Sequence, residues 1–280
     1  MVKLSQHLAL RHPSVLIGGG LIALLVLIAV FAPLLSVHDP IQIAPQFRLK
    51  PPSTEYVMGT DSFGRDLWTR TIYGGRISLL ISACVAAMAI LVGLSVGLIA
   101  GYFRWLDNPS MRVMDGLMAI PGILLAIALV ALLGASLVTV VLAISIPEIP
   151  RVARLVRGVV LSIREEPYVE AVVGLGTPTF KIILRHVMPN TFAPLIVQGT
   201  YICASAILVE AILSFLGAGI SSETPTWGNI IADGRVVFSR APWTILFPGL
   251  FLAASILAVN VLGDGLRDTL DPRMKKKLGN

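Results

Sequence analysis

The 280-residue sequence is 55% hydrophobic, carries charge on only 14% of its residues and has a mean hydropathy of +0.83, whereas a soluble domain is about one-quarter charged. Its net charge of +6 lies in segments flanking long apolar runs, so a soluble basic face for nucleic acid is excluded. No G-x-x-x-x-G-K-[ST], no H-E-x-x-H and no Cys/His cluster occurs, which argues against nucleotide hydrolysis, zinc chemistry or any other catalysis on this chain.

Six runs meet the requirement of about 20 apolar residues for a membrane-crossing helix, at 14–35, 77–101, 117–136, 137–157, 192–217 and 243–263. The chain therefore reads as an all-α polytopic membrane protein. The first run follows Lys3 and Arg11. It exceeds the roughly 7–15 apolar residues of a secretory leader and no A-x-A site follows, so it is expected to remain as the first helix. The segment 36–76 is proline-rich at Pro40, Pro45, Pro51 and Pro52 and then reads GTDSFGRDLWTRTIYGGR from Gly59. Asp61 or Ser62 suits the cap of a helix starting near Phe63. Trp68 and Tyr73 would place that helix at the membrane boundary.

The second run carries Gly93, Gly97 and Gly101 at four-residue spacing, beside Ala86, Ala89 and Ser95. Such ladders let helix backbones approach closely. Gly134-Ala135-Ser136 separates the third and fourth runs. Pro121 opens the third, while Pro147 and Pro150 are expected to bend or break the fourth. Two carboxylates fall within runs: Glu148, between those prolines, and Glu210, six residues before Leu216. Each either lines a pathway or meets a local partner; for Glu210 outer water is also within reach, about 9 Å along the helix. Cys84 and Cys203 both lie in runs, as apolar packing residues.

With the N-terminus inside, 15 of the 22 lysines and arginines fall on the inner side, which puts both termini in the cytoplasm. The last run continues through Asp264, Arg267, Asp268 and Asp271, spaced for local ion pairs. Pro272 stops it, and Arg273 with Lys275–Lys277 suits anionic lipid.

Between the fourth and fifth runs lies EEPYVEAVVGLGTPTFKIILRHVMPN, residues 165–190. Pro167 and the acidic Glu165, Glu166 and Glu170 suit the start of a short helix that Gly174 and Gly176 end. Thr177-Pro178 opens a second helix. Its Phe180, Ile183, Leu184 and Val187 fall at i, i+3, i+4 and i+7, giving an apolar face for the bundle, and Pro189 closes it. Each helix is too short to span. The pair is either a connector resting on lipid or a knob for a groove on a cytoplasmic partner.

Glu170-Ala171, then Gly176, then Pro189 resemble the EAA signature of binding-protein-dependent ABC importer permeases. Val172 replaces the second alanine and Met188 the leucine, while His186 and RHVMPN are similar to the peptide/nickel branch. GTDSFGRDLWTR at 59–70, MDGLMAIPGILLAIAL at 114–129, ARLVRG at 153–158, LSFLGAGISSETPTWG at 213–228 and LGDGLRDTLDPR at 262–273 resemble that branch in the same order.

The resemblance implies a type I importer permease fold with six transmembrane helices in a bacterial or archaeal cytoplasmic membrane. Residues 1–76 would be the added N-terminal helix and loop, 77–265 the shared core and 266–280 a basic tail. It implies a second, non-identical permease, two cytoplasmic ATPase subunits holding ATP and Mg, and an extracytoplasmic solute-binding protein. No cofactor is expected on this chain. Glu170, Ala171, Gly174, Gly176 and Pro189 would couple to the ATPase, and Asp61, Arg65, Asp66 and Trp227 would face the binding protein. Glu148 and Glu210 remain candidates for the path.

A peptide-like solute (dipeptide, oligopeptide or glutathione) is expected over nickel, because no His/Cys cluster lies in any apolar run to pass on a soft metal. The competing reading is a secondary transporter driven by protons through Glu148 and Glu210. The helix–glycine–helix and the lack of a visible inverted repeat oppose it. A purely structural assembly subunit would leave the EAA-like pattern without a purpose.

Overall fold

A computed structural model describes residues 12–270; the basic tail from residue 271 and the residues around Lys3 and Arg11 lie outside the described part. Helix α1 (Pro13–Val30) begins with proline at its first position, where a missing N–H costs nothing, and a single turn, α2 (Ala32–Leu35), follows. An irregular segment then leads to α3 (Leu67–Tyr102). Next come α4 (Arg104–Ala119), α5 (Gly122–Leu133) and α6 (Leu137–Arg164). The short α7 (Pro167–Gly174) and α8 (Thr179–Ile182) precede α9 (Phe192–Phe215). A second short helix pair of the opposite end starts with α10 (Trp227–Gly234), and α11 (Trp243–Leu270) completes the bundle.

The glycine ladder determines the central contact. A Cβ on Gly93, Gly97 or Gly101 would come within 2.5, 2.6 or 2.7 Å of the Cβ of Val152, Val156 or Val160. All three valines are fully buried. Glycines every four residues on α3 thus accept valines every four residues on α6, and the two backbones meet over three turns. Around this seam Ile81, Val85, Ala89, Ile144, Ile202 and Leu213 build the main core. On the far side α1 lies against α11, where Gly18 meets the backbone of Leu262 and Gly265 meets Val15.

Four expectations change. First, no separate boundary helix starts near Phe63. Asp66 caps α3 by accepting from the Thr69 N–H at 3.1 Å, and α3 runs unbroken for 36 residues. At 1.5 Å per residue that is about 54 Å, well beyond the hydrocarbon thickness of about 30 Å, so Trp68 and Tyr73 ride on the protruding start of the span itself. Asp61 instead folds a turn, accepting from the N–H groups of Phe63 and Arg65 at 2.8 and 2.9 Å.

Second, of the bend or break expected at Pro147 and Pro150, the break does not occur, since α6 is continuous over 28 residues. The seam with α3 holds the helix where the prolines remove its own bonds.

Third, the run at 117–136 is not one straight span. Its α5 has only 12 residues and meets α4 at 86°. Pro121 holds the preceding Ile120 in extended geometry (φ −94°, ψ 128°) and so ends α4. Among the described residues four helical stretches are long and apolar enough to cross a membrane (Pro13–Val30, Leu67–Tyr102, Thr179–Phe215 and Trp243–Leu270), five if the bent pair is counted as one span. Helix α6 has the length, but Glu148, Arg151 and Arg154 interrupt its apolar surface.

Fourth, Pro189 does not close a helix. The chain passes from α8 through a wide π turn (Ile183–Val187) and a tight 3-10 turn (Met188–Thr191) straight into α9. Changing the pitch on both sides accommodates the N–H that Pro189 lacks. The shifted register also rotates the apolar face. Val187 and Ile182 are buried, while Phe180 is 73% exposed and Leu184 39%.

Candidate functional site: an exposed knob and a buried cap

At the end expected in the cytoplasm, α7 projects from the C-terminus of α6. Its Val169 is 1% exposed and anchors it to the core. Its end is built by Gly176 at φ +72°. The Gly176 N–H donates to the Val173 carbonyl at 2.9 Å and the Thr177 N–H to the Val172 carbonyl at 3.4 Å. This paired arrangement is the glycine-terminated helix end known as a Schellman motif. Asn190 fastens the knob to the following turn, donating from Nδ2 to the His186 carbonyl at 2.7 Å and to the Tyr168 hydroxyl at 3.2 Å.

Every residue expected to couple to an ATPase is on the surface of this knob: Glu170, Ala171, Gly174, Gly176 and Pro189 are all exposed. Around them Val173 and Leu175 are 53% and 83% exposed. Among the described residues no ion pair includes Glu170. Its position in the first turn of α7 is favoured by the helix dipole. A rigid, glycine-capped helix with an outward apolar surface and one free carboxylate can seat in a groove and transmit a push.

The inner end also explains several basic residues that the sequence could only count. Arg157 grips Asp107 through Nε and Nη2, at 2.5 and 2.7 Å. Arg154 pairs with Asp115, and Arg164 donates to the Tyr102 carbonyl at 3.0 Å. These contacts clamp α4 and the end of α3 to α6, next to the knob.

At the opposite end the four residues expected to face a binding protein are inside the molecule. Asp61, Arg65, Asp66 and Trp227 are at most 6% exposed. The physical reason is pairing. Arg65 donates from Nε to Asp61 and from Nη2 to Asp233 at 3.1 Å. Arg70, fully buried, lies 3.7 Å from Asp61 and 3.9 Å from Asp233. It also donates to the Pro40 and Ser222 carbonyls at 3.0 and 3.2 Å. Trp227 donates from Nε1 to the Thr71 carbonyl at 2.9 Å, beside Gly74 and Gly75. Helix α10 is started by a reciprocal capping box between Thr226 and Asn229. Two outer segments distant in sequence are thereby locked to the start of α3. These residues can shape a docking surface but cannot themselves form it. Arg70 and Asp233 were not singled out from sequence, because nothing local links residues 163 positions apart.

The two carboxylates expected within spans both have local partners. Glu148 accepts from Arg151 Nη1 at 2.8 and 3.1 Å. Glu210 is 1% exposed and accepts from the Ser214 hydroxyl at 2.9 Å, with Ser78 and Thr226 beside it. It thus sits against the start of α10, within the same buried cap.

The chain matches the family model described as binding-protein-dependent transport system inner membrane component over residues 89–276. Residues 9–52 match the N-terminal TM domain of oligopeptide transport permease C. A probable peptide ABC transporter permease protein of Sinorhizobium fredii is 53% identical over 97% of this chain and 93% of its own length. The dipeptide transport system permease protein of Alkalihalophilus pseudofirmus is 45% identical, covering 95% and 88%. The glutathione transport system permease protein of Pectobacterium atrosepticum is 38% identical, covering 97% and 89%. Among solved structures, the inward-facing MetNI methionine ABC transporter superposes with a TM-score of 0.59 at 16% identity, over 73% of this chain and 98% of that chain. That likeness is one of fold, and together with the sequence matches it places the chain in the binding-protein-dependent transport system inner membrane component family, built on the type I ABC-importer permease fold.

Proposed function

We propose that this chain is the membrane-embedded, non-catalytic subunit of an ATP-driven importer of peptide-like solutes in a bacterial or archaeal cytoplasmic membrane. It would form the path with a second, non-identical permease. Two ATPase subunits carrying ATP and Mg would bind on the inner side, and a solute-binding protein would deliver cargo from outside. The observation that carries the reading is the knob formed by α7 and its glycine turn. Four of the five family-matching residues, Glu170, Ala171, Gly174 and Gly176, are exposed there, and Pro189 is exposed in the turn fastened to it, beside an apolar surface that the chain itself leaves uncovered. Exposed apolar patches rimmed by polar residues mark interaction sites. A peptide-like cargo is supported over nickel by the relatives described above, which are named for peptide, dipeptide and glutathione transport.

Proton coupling finds less support at Glu148, whose two oxygens both accept from Arg151, while Glu210 accepts from Ser214 through one oxygen and leaves its buried Oε2 without a partner among the described residues. The deciding experiment co-expresses the chain with its genomic neighbours and isolates it through a tag. Co-purifying ATPase subunits, and hydrolysis stimulated by a peptide-loaded binding protein, are expected. Transport that persists without ATPase subunits would overturn the proposal. Titrating the binding protein with dipeptides to hexapeptides, glutathione and chelated nickel addresses the cargo, and tight binding of nickel alone would overturn the peptide assignment.

A further inference from the structure

A crevice of about 680 Å³ opens between α1, the start of α3 and the segment before α10. Its lining is polarised along the membrane axis. On α3 the residues Tyr73, Arg76, Ile77 and Leu80 face it at i, i+3, i+4 and i+7. On α1 the wall is Val26, Ala29 and Val30, with Ala29 level with Gly75 on α3. Asp39 and Glu223, from the two irregular outer segments, close its outer rim. Leu80 lies one turn further in along α3 than Arg76, and Val26 one turn further in along α1 than Val30, so the innermost lining is apolar and the charged groups stand nearer the outer end. Val26, Val30 and Leu80 are 41, 57 and 49% exposed, on helices that cross the membrane.

The rim carries both signs of charge without cancelling them. Arg76 lies over the Tyr73 ring, 5.7 Å from its centroid, and no ion pair among the described residues includes Arg76, Asp39 or Glu223. This contrasts with the neighbouring Arg65 and Arg70, both of which pair with Asp233. A guanidinium offers a planar fork that fits a phosphate. Two carboxylates on the same rim suit a primary ammonium group and repel an anion. An apolar slot below a cation and two anions is complementary to an amine-bearing zwitterionic phospholipid.

We infer that this crevice is a binding site for phosphatidylethanolamine, with acyl chain along α1 and α3, phosphate at Arg76 and ammonium at Asp39 and Glu223. The inference does not depend on which solute is moved. Phosphatidylglycerol presents the phosphate but no cation, and phosphatidylcholine presents a cation without N–H donors, so both should be held less tightly. Charge-assisted hydrogen bonds of this kind set a preference on the order of threefold to tenfold.

The test is native mass spectrometry of the purified full complex, released from nanodiscs of equal parts phosphatidylethanolamine, phosphatidylcholine and phosphatidylglycerol. Phosphatidylethanolamine should be retained preferentially by the parent. Arg76→Gln should lose that retention. The double variant Asp39→Asn with Glu223→Gln should still retain lipid but no longer favour phosphatidylethanolamine over phosphatidylglycerol. Leu80→Trp, at an exposed position, should block the slot without disturbing the core and abolish retention. Equal retention of the three lipids by the parent, preference for phosphatidylglycerol, or full retention by Arg76→Gln and Leu80→Trp would each overturn the assignment.

Discussion

At the residue scale, Gly176 and Arg70 show how differently a single side chain can matter. The turn after α7 leaves open space around Gly176, with no atom within 4 Å of a Cβ placed there. Packing therefore does not demand glycine; the backbone does, through φ +72°. A side chain in the left-handed region costs about 1–2 kcal/mol, enough to rebuild the turn without unfolding the bundle. Gly176→Leu is expected to leave the protein inserted while lowering ATPase association and uptake. Gly174→Ala, at an equally open position with ordinary helical geometry, should keep the turn intact, so a loss of coupling there reports contact with the ATPase rather than backbone strain. Measuring hydrolysis and transport of both variants in reconstituted complexes checks this, and parental coupling in Gly176→Leu would remove α7 from the coupling role.

Arg70 is the reverse case, a buried cation whose partners come from three separate segments. Removing one member of a buried ionic cluster costs about 3–5 kcal/mol because the others keep their charge without a partner. Arg70→Met is therefore expected to loosen the outer cap, seen as a lower melting temperature and as new protease cleavage in residues 36–66 and 218–242.

At the element scale, the α3–α6 seam is the contact on which the rest of the bundle is assembled. Its glycines leave room for valines and for nothing larger, so Gly97→Ala forces Val156 and the Ala153 carbonyl, both within 2.7 Å of the new Cβ, to move. Overpacking of this kind costs about 1–3 kcal/mol. Val156→Ala alone should also destabilise, by opening a void. Combined, the two changes should cost less than the sum of the separate losses, because Val156→Ala removes the Cγ1 that lies 2.8 Å from the new Cβ, although the Val156 Cβ and the Ala153 carbonyl stay in place. Thermal unfolding of the four proteins in detergent closes the cycle, and strict additivity would show that the two positions do not meet in the membrane. A different principle governs the short helices. Neither α7 nor α10, at eight residues each, can persist alone. Each is held by a cap and by buried anchors, Val169 on α7 and Trp227 with Ile230 on α10.

At the scale of the whole molecule, we expect both termini and the α7 knob on the cytoplasmic side, with the cap of residues 36–66 and α10 outside. The basic split motivates this orientation, and the location of the ion pairs bears on how to test it. Thr226 is fully buried by its capping box, so a cysteine there would not report the side on which it lies. Glu223 and Pro45 are exposed and belong to the outer cap, while Leu175 is 83% exposed on the knob. In a background lacking Cys84 and Cys203, cysteines at Pro45 and Glu223 should react with an impermeant thiol reagent in intact cells. A cysteine at Leu175 should react only after permeabilisation. Labelling of Leu175→Cys in intact cells would invert the topology and with it the assignment of the knob.

Sequence by itself determined the features that arise from local chemistry: a helical membrane protein, the capped and glycine-ended α7, and the ladder that brings α3 close to a neighbour. Apolar run length, dihedral preference and four-residue spacing are properties of adjacent residues, so they survive without coordinates. Tertiary structure alone decided which helix the ladder meets, and that the prolines of α6 are absorbed while Pro121 turns the chain through a near right angle. It also reversed the exposure of the two candidate surfaces. GTDSFGRDLWTR reads as the start of a boundary helix with Asp61, Arg65 and Asp66 facing a partner outside, but Asp233, far along the chain, returns to pair with its arginines and bury them. The second short helix reads as amphipathic with Phe180, Ile183, Leu184 and Val187 on the bundle, but a π turn interrupts that spacing from Ile183, and Val187 is buried while Phe180 is 73% exposed. Both outcomes depend on charge pairing and helical register set by distant contacts, which no window along the chain contains.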